Sequence, residues 1–99
     1  MIDEENTYWR PQVMRHSAPK VEYAIHEVYF FKNGTVAGYT GDALSNRYES
    51  IFALKEALEE LKNSGENNIK CGDLGYDYTN FDIELWLKHI SDPFIEYVE

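Results

Sequence analysis

The sequence predicts an α+β domain: an antiparallel sheet of three to four strands with two helices, in the order β-β-β-α-α-β. Three patterns carry this reading. The apolar run Tyr23-Ala24-Ile25-His26-Glu27-Val28-Tyr29-Phe30-Phe31 breaks at Lys32-Asn33-Gly34 and is followed by a second extended run, as a β-hairpin requires. Ile51, Leu54, Leu58 and Leu61 recur at helical spacing, and Ile83, Trp86, Leu87 and Ile90 do so again nearer the C-terminus.

Residues 1–6 are polar and acidic, with nothing to bury, and are expected to be disordered; a single domain is expected over 7–99. The first strand runs from Thr7 to His16. Pro11 lacks an N–H and places that strand at an edge or a bulge. Ser17-Ala18-Pro19-Lys20 is a turn. Strand two follows over 21–31 and strand three over 35–40. Strand two is largely apolar on both faces, with Tyr23, Ile25, Tyr29 and Phe31 on one and Ala24, Val28 and Phe30 on the other. Such a strand needs cover on both sides. If both helices pack on one face, Tyr and Phe are left exposed on the other, which argues for a homodimer.

The polar stretch 42–49 is a loop, and Ser50 is the expected N-cap of a helix over 51–63, with Gly65 at its stop. Residues 66–78 read as an irregular connection with a short extended piece at 69–71. Thr79 or Asn80 caps the second helix, and Asp82 and Glu84 suit the positive end of its dipole. Asp92-Pro93 ends it, because a residue before proline is pushed out of the helical region. A last short strand is expected over 94–98.

Net charge excludes some functions. The chain carries 9 Lys and Arg against 18 Asp and Glu, and the acid is concentrated in its second half. Clustered basic residues, which phosphate recognition requires, are missing, so direct binding to nucleic acid or to an anionic membrane is not expected. Cys71 is the only cysteine, so no intrachain disulfide can form. No run approaches membrane-spanning length, and the acidic start lacks a signal-peptide pattern. A soluble, cytoplasmic protein is expected.

No catalytic, cofactor-binding or metal-binding constellation is expected either. His26 and Glu27 are chemically suited to acid–base work, but neighbours on a strand point to opposite faces. Acids at Asp73, Asp77 and Glu84 have the outer spacing of a calcium loop, yet Gly75 and Tyr78 stand where that loop needs an oxygen ligand and a glycine. Cys71 beside Lys70 has no further signature of a nucleophile. Two features suggest a partner surface instead. Glu56, Glu59 and Glu60 form one acidic helix stripe, which is either a solvated face or a patch for a basic surface. Tyr76, Tyr78 and Trp86, with Tyr8, Trp9 and Tyr97, supply more amphipathic aromatic area than a small core needs.

The run Tyr23-Ala24-Ile25-His26-Glu27-Val28-Tyr29-Phe30, with Tyr8-Trp9-Arg10 before it and Pro93-Phe94 after, resembles a group of small bacterial proteins that share a Tyr/Phe-Ala-Ile-His-Glu-Val-Tyr-Tyr hairpin. The likeness departs over 66–78 and implies no activity. In its β-β-β-α order alone, the chain is also similar to antitoxin domains with a partial double-stranded-RNA-binding fold. The functional expectation is a non-enzymatic interaction or regulatory module whose protein partner has a basic surface. The alternatives are an acidic inhibitor that mimics nucleic acid, of an anti-defence or antitoxin-like kind, and a small-ligand or metal-dependent enzyme with a site near His26.

Overall fold

The computed structural model describes residues 6–98, so most of the expected disordered segment lies outside the described residues. Asn6 is described, and its carbonyl accepts from Lys32 N at 3.2 Å. The fold is α+β with two helices, as predicted. Strands β1 (Thr7–His16) and β2 (Glu22–Phe31) form one long antiparallel hairpin in unbroken register from Thr7↔Phe31 to His16↔Glu22. Strand β3 (Val36–Tyr39) continues it beyond a tight turn, where Gly34 takes the positive φ of +90° that its sequence position implied. The turn is closed by Gly34 N donating to Phe31 O and by Phe31 N donating to Thr35 O, both at 2.8 Å.

The sheet corrects one expectation, because it is mixed rather than antiparallel. Strand β6 (Ile95–Glu96) lies parallel to β1 at Met14 and Arg15, giving the order β3-β2-β1-β6. A parallel neighbour requires a long crossover, and everything from β2 to the second helix supplies it. Strand β1 is therefore interior and not the expected edge. Pro11 is still tolerated, for a reason that the register gives. Tyr23, Ile25 and Glu27 direct backbone groups away from β1, toward Tyr48, Leu44 and Thr40. Pro11 stands opposite Glu27, so its missing N–H faces the side where the two-residue β6 does not reach.

Helix α1 (Ile51–Asn63) has the expected bounds, and its Ser50 cap accepts from Ala53 N at 3.0 Å. The stretch expected to be irregular contains a second hairpin, β4 (Ile69–Cys71) with β5 (Tyr76–Tyr78), turned by Gly72 and Gly75 at positive φ. Gly72 is also a close approach: a Cβ there would lie 2.5 Å from Leu44 O and 2.6 Å from Ala43 O. Helix α2 (Asn80–Lys88) begins with a capping box, in which Thr79 and Asp82 each bond the other's backbone N–H.

Both helices pack on one sheet face, where Val13 and Ile25 meet Leu54, Leu58, Ile83 and Trp86. The other face is covered nonetheless. Met14, Val28 and Phe30 are buried there beneath Tyr39, Ile95 and Tyr97. The expected exposure of that face, and with it the face-counting argument for a homodimer, fails because the chain end folds back over the sheet.

Candidate functional site

Adjacent residues of β2 lead into two different sites. His26 points to the second face, where four side chains form one directed hydrogen-bond chain. Asp73 accepts from Arg47 Nη2 at 2.8 Å and Nε at 3.3 Å, and also from Ala43 N at 3.0 Å. Arg47 Nη1 donates to His16 Nδ1 at 3.2 Å. His16 Nε2 therefore carries that ring's proton and donates to His26 Nε2 at 2.8 Å, and His26 Nδ1 donates to Thr40 O at 2.9 Å. Tyr97 stacks on His16 at 4.2 Å between ring centroids and gives its hydroxyl to Gly41 O.

The electrostatics fit a closed structure. Burial pushes His26 down to about 4, and the neighbouring His16 and Arg47 add to that, against a raising effect from Thr40 O and Asp73. The Arg47 guanidinium holds the Asp73 carboxyl below the usual carboxylate range. His26 is fully buried. Substrate has no approach to it, and an added proton would place two N–H donors nose to nose unless the His16 tautomer reversed.

Glu27 points the other way, into an open cleft of about 350 Å³. One wall is the sheet, through Trp9, Pro11 and Glu27. The 40–44 loop closes one end with Thr40, Asp42, Ala43 and Leu44. The opposite wall comes from the second hairpin and α2, through Leu74, Tyr76, Tyr78, Asp82, Leu85 and Trp86. Trp86 forms part of the floor, with the Tyr78 ring edge-on to it at 4.9 Å. Trp9 and Tyr76 are 52% and 61% exposed at the rim. The Tyr29 hydroxyl donates to Glu27 Oε1, which fixes that carboxylate on the wall. The Tyr78 phenol is raised, by burial first and then by Cys71, Asp82, Tyr76 and Glu27.

The expected partner-binding residues thus divide. Tyr76, Tyr78 and Trp86 come together in the cleft. Glu56, Glu59 and Glu60 do not join them and stay exposed along α1, with Lys55 3.9 Å from Glu59. The acids of the calcium-like spacing do not converge, since Asp73 turns to Arg47 and Ala43, and no group of three possible metal ligands occurs among the described residues. Cys71 is buried and its thiol is pushed up to about 11 by that burial, which removes the thiolate a nucleophile needs. His89 lies apart from the other histidines and bonds Asp92 at 3.0 Å.

Of the other lining residues, Trp9 belongs to the aromatic surplus visible in the sequence, whereas Glu27, Asp42 and Leu74 carry no local signal of a binding role. The hairpin register would have placed Trp9 and Pro11 beside Glu27; nothing local placed Asp42 or Leu74. No helix among the described residues is long and apolar enough to cross a membrane. No family model matches the chain, and neither a curated protein nor a solved structure matches it.

Proposed function

We propose that this protein is a non-enzymatic interaction module that holds a segment of a partner protein in the cleft between β1, β2 and α2. The carrying observation is the pairing of exposed amphipathic rings, Trp9 and Tyr76, with an aromatic floor in an open cavity. Such rings bury much area with little side-chain entropy to lose, and their surface gains most when a partner covers it. The groups suited to catalysis support the same reading by their condition. His26 is sealed in a saturated chain, and Cys71 is held as a buried thiol. A cytoplasmic setting fits a chain with one cysteine, and the homodimer now stands without its face-counting argument.

Selection from a random linear peptide library on the immobilised protein tests the proposal. Enriched peptides should lose binding to the Trp9→Ala and Tyr76→Ala variants. An absence of enrichment, or enrichment indifferent to both substitutions, would overturn it.

A further inference from the structure

We infer that the cleft is selective for an arginine side chain presented by the partner segment, an inference that rests on the interaction reading above. Its walls carry three carboxylates from three separate elements: Glu27 on β2, Asp42 in the loop and Asp82 on α2. Among the described residues no Lys, Arg or His lines the cavity, although nine Lys and Arg occur in the chain. Negative charge meets aromatic faces in one concave space, and that combination favours a cation.

The carboxylates are also set in advance. Glu27 is held by the Tyr29 hydroxyl, and Asp82 is fixed by the capping box through its Oδ2. Binding therefore costs little reordering of these two walls. The Tyr78 phenol is raised by burial first, and Asp82 and Glu27 on the cavity walls add to that in the same direction.

Arginine fits this chemistry better than lysine. A guanidinium is planar and weakly hydrated, stacks on Trp and Tyr faces, and forks toward carboxylates, whereas an ammonium is compact and loses a tight hydration shell on entry. The cavity, at about 350 Å³, is of a size for one long side chain with a short stretch of its backbone. A chain of net charge −9 further steers a basic segment toward itself.

The same library selection, read by position, decides. Arginine should be enriched at one fixed position of the selected peptides. Replacing it by citrulline in the best peptide should weaken binding about tenfold or more, the scale of a charge-assisted hydrogen bond. Lysine there should bind more weakly than arginine, with binding followed by the fluorescence of Trp9 and Trp86. Glu27→Gln, which keeps an acceptor for Tyr29, should weaken the arginine peptide, as should Asp42→Asn at an exposed position. Enrichment of peptides without arginine, equal binding of the lysine or citrulline form, or indifference to both carboxamide variants would overturn arginine selectivity while the interaction module stood. A selection that enriches nothing would overturn both.

Discussion

His26 and Glu27 are neighbours in sequence and stand on opposite faces of one strand, and their surroundings differ in one physical respect. Around His26 every ring nitrogen has a partner, and the chain from Asp73 through Arg47 and His16 ends on a backbone carbonyl. Around Glu27 aromatic rings stand open to solvent beside three carboxylates. A buried polar network with its bonds made holds a fold in one arrangement, and substitution within it exposes the cost of the groups left behind. An open wall of rings and charges contributes little to folding and gains its partners only on binding. Stability and function therefore separate by exposure: losses around His26 should appear in melting curves, and losses at the open rim on the Glu27 side, Trp9 and Tyr76, in binding curves.

The largest effect is expected at Gly72, which serves both sides. Its backbone presses on Ala43 and Leu44, which line the cleft, while the next residue, Asp73, anchors Arg47. A side chain there meets backbone carbonyls at under 3 Å and is strained by a φ of +88°. Gly72→Ala should cost about 3–5 kcal/mol, combining backbone strain with overpacking. Urea denaturation measures it. A loss below about 1 kcal/mol would mean that the 43–44 loop yields easily, and the two sites would then be less firmly joined than the contact implies.

Protonation is expected to act next, on the closed side alone. Above pH 6.5 both the folded and unfolded states keep His26 neutral. As pH falls from the ordinary value of 6.5 toward about 4, the unfolded chain takes up a proton that the folded chain refuses. Stability is therefore complete above that window and lost within it, by roughly 3 kcal/mol at its acid end, given 1.36 kcal/mol per unit. The depressed Asp73 carboxyl adds a loss of the same sign at lower pH. Proton NMR of the imidazole C2 positions should give His26 a midpoint near 4. A midpoint near 6.5 would show an imidazole reached by water, and the closed half of the comparison would fall.

Gly34→Val should cost about 1–3 kcal/mol, through strain alone, because a side chain at Gly34 meets nothing within 4 Å. A thermal melt reads it. Gly34→Ala, at nearly the same φ but in open space, is the matched control for Gly72→Ala, and the difference between those two alanine variants isolates crowding from backbone strain. An unchanged melt would mean that the 32–35 turn adjusts its backbone to accept a β-branched residue.

Much of this architecture was legible in local pattern. The spacing of Ile51, Leu54, Leu58 and Leu61 and the cap at Ser50 place α1 because a helix is specified by neighbours a few residues apart. Asn33-Gly34 places the first turn for the same reason. The direction of β6 was not legible, since two residues carry no period and pairing is decided by where α2 delivers the chain. The histidine pair was hidden by geometry. In register His16 stands opposite Glu22 and His26 opposite Gln12, four positions apart along the face, so contact requires both rings to lean across the small Ala24. Tyr76, Tyr78 and Trp86 were legible as surplus aromatic area, but their cleft depends on the second hairpin, whose turn rests on the non-local fit of Gly72 against Leu44.

The smallest effect is expected on α1. Glu56, Glu59 and Glu60 are exposed, and the ion pair of Lys55 with Glu59 at 3.9 Å is worth a few tenths of a kcal/mol. Neutralising all three to Gln also relieves repulsion between like charges on one face, so the net change in stability should stay within about 0.5 kcal/mol. Binding of the selected peptide should change by less than about threefold, through the loss of long-range attraction, while Tyr76→Ala removes it at similarly small cost to the melt. The reverse outcome, binding abolished by the triple Gln variant and untouched by Tyr76→Ala, would move the functional surface from the cleft to the α1 stripe. An acidic face that imitates nucleic-acid phosphate would then be the better account, because its recognition would depend on charge spacing along a helix and not on rings in a cavity.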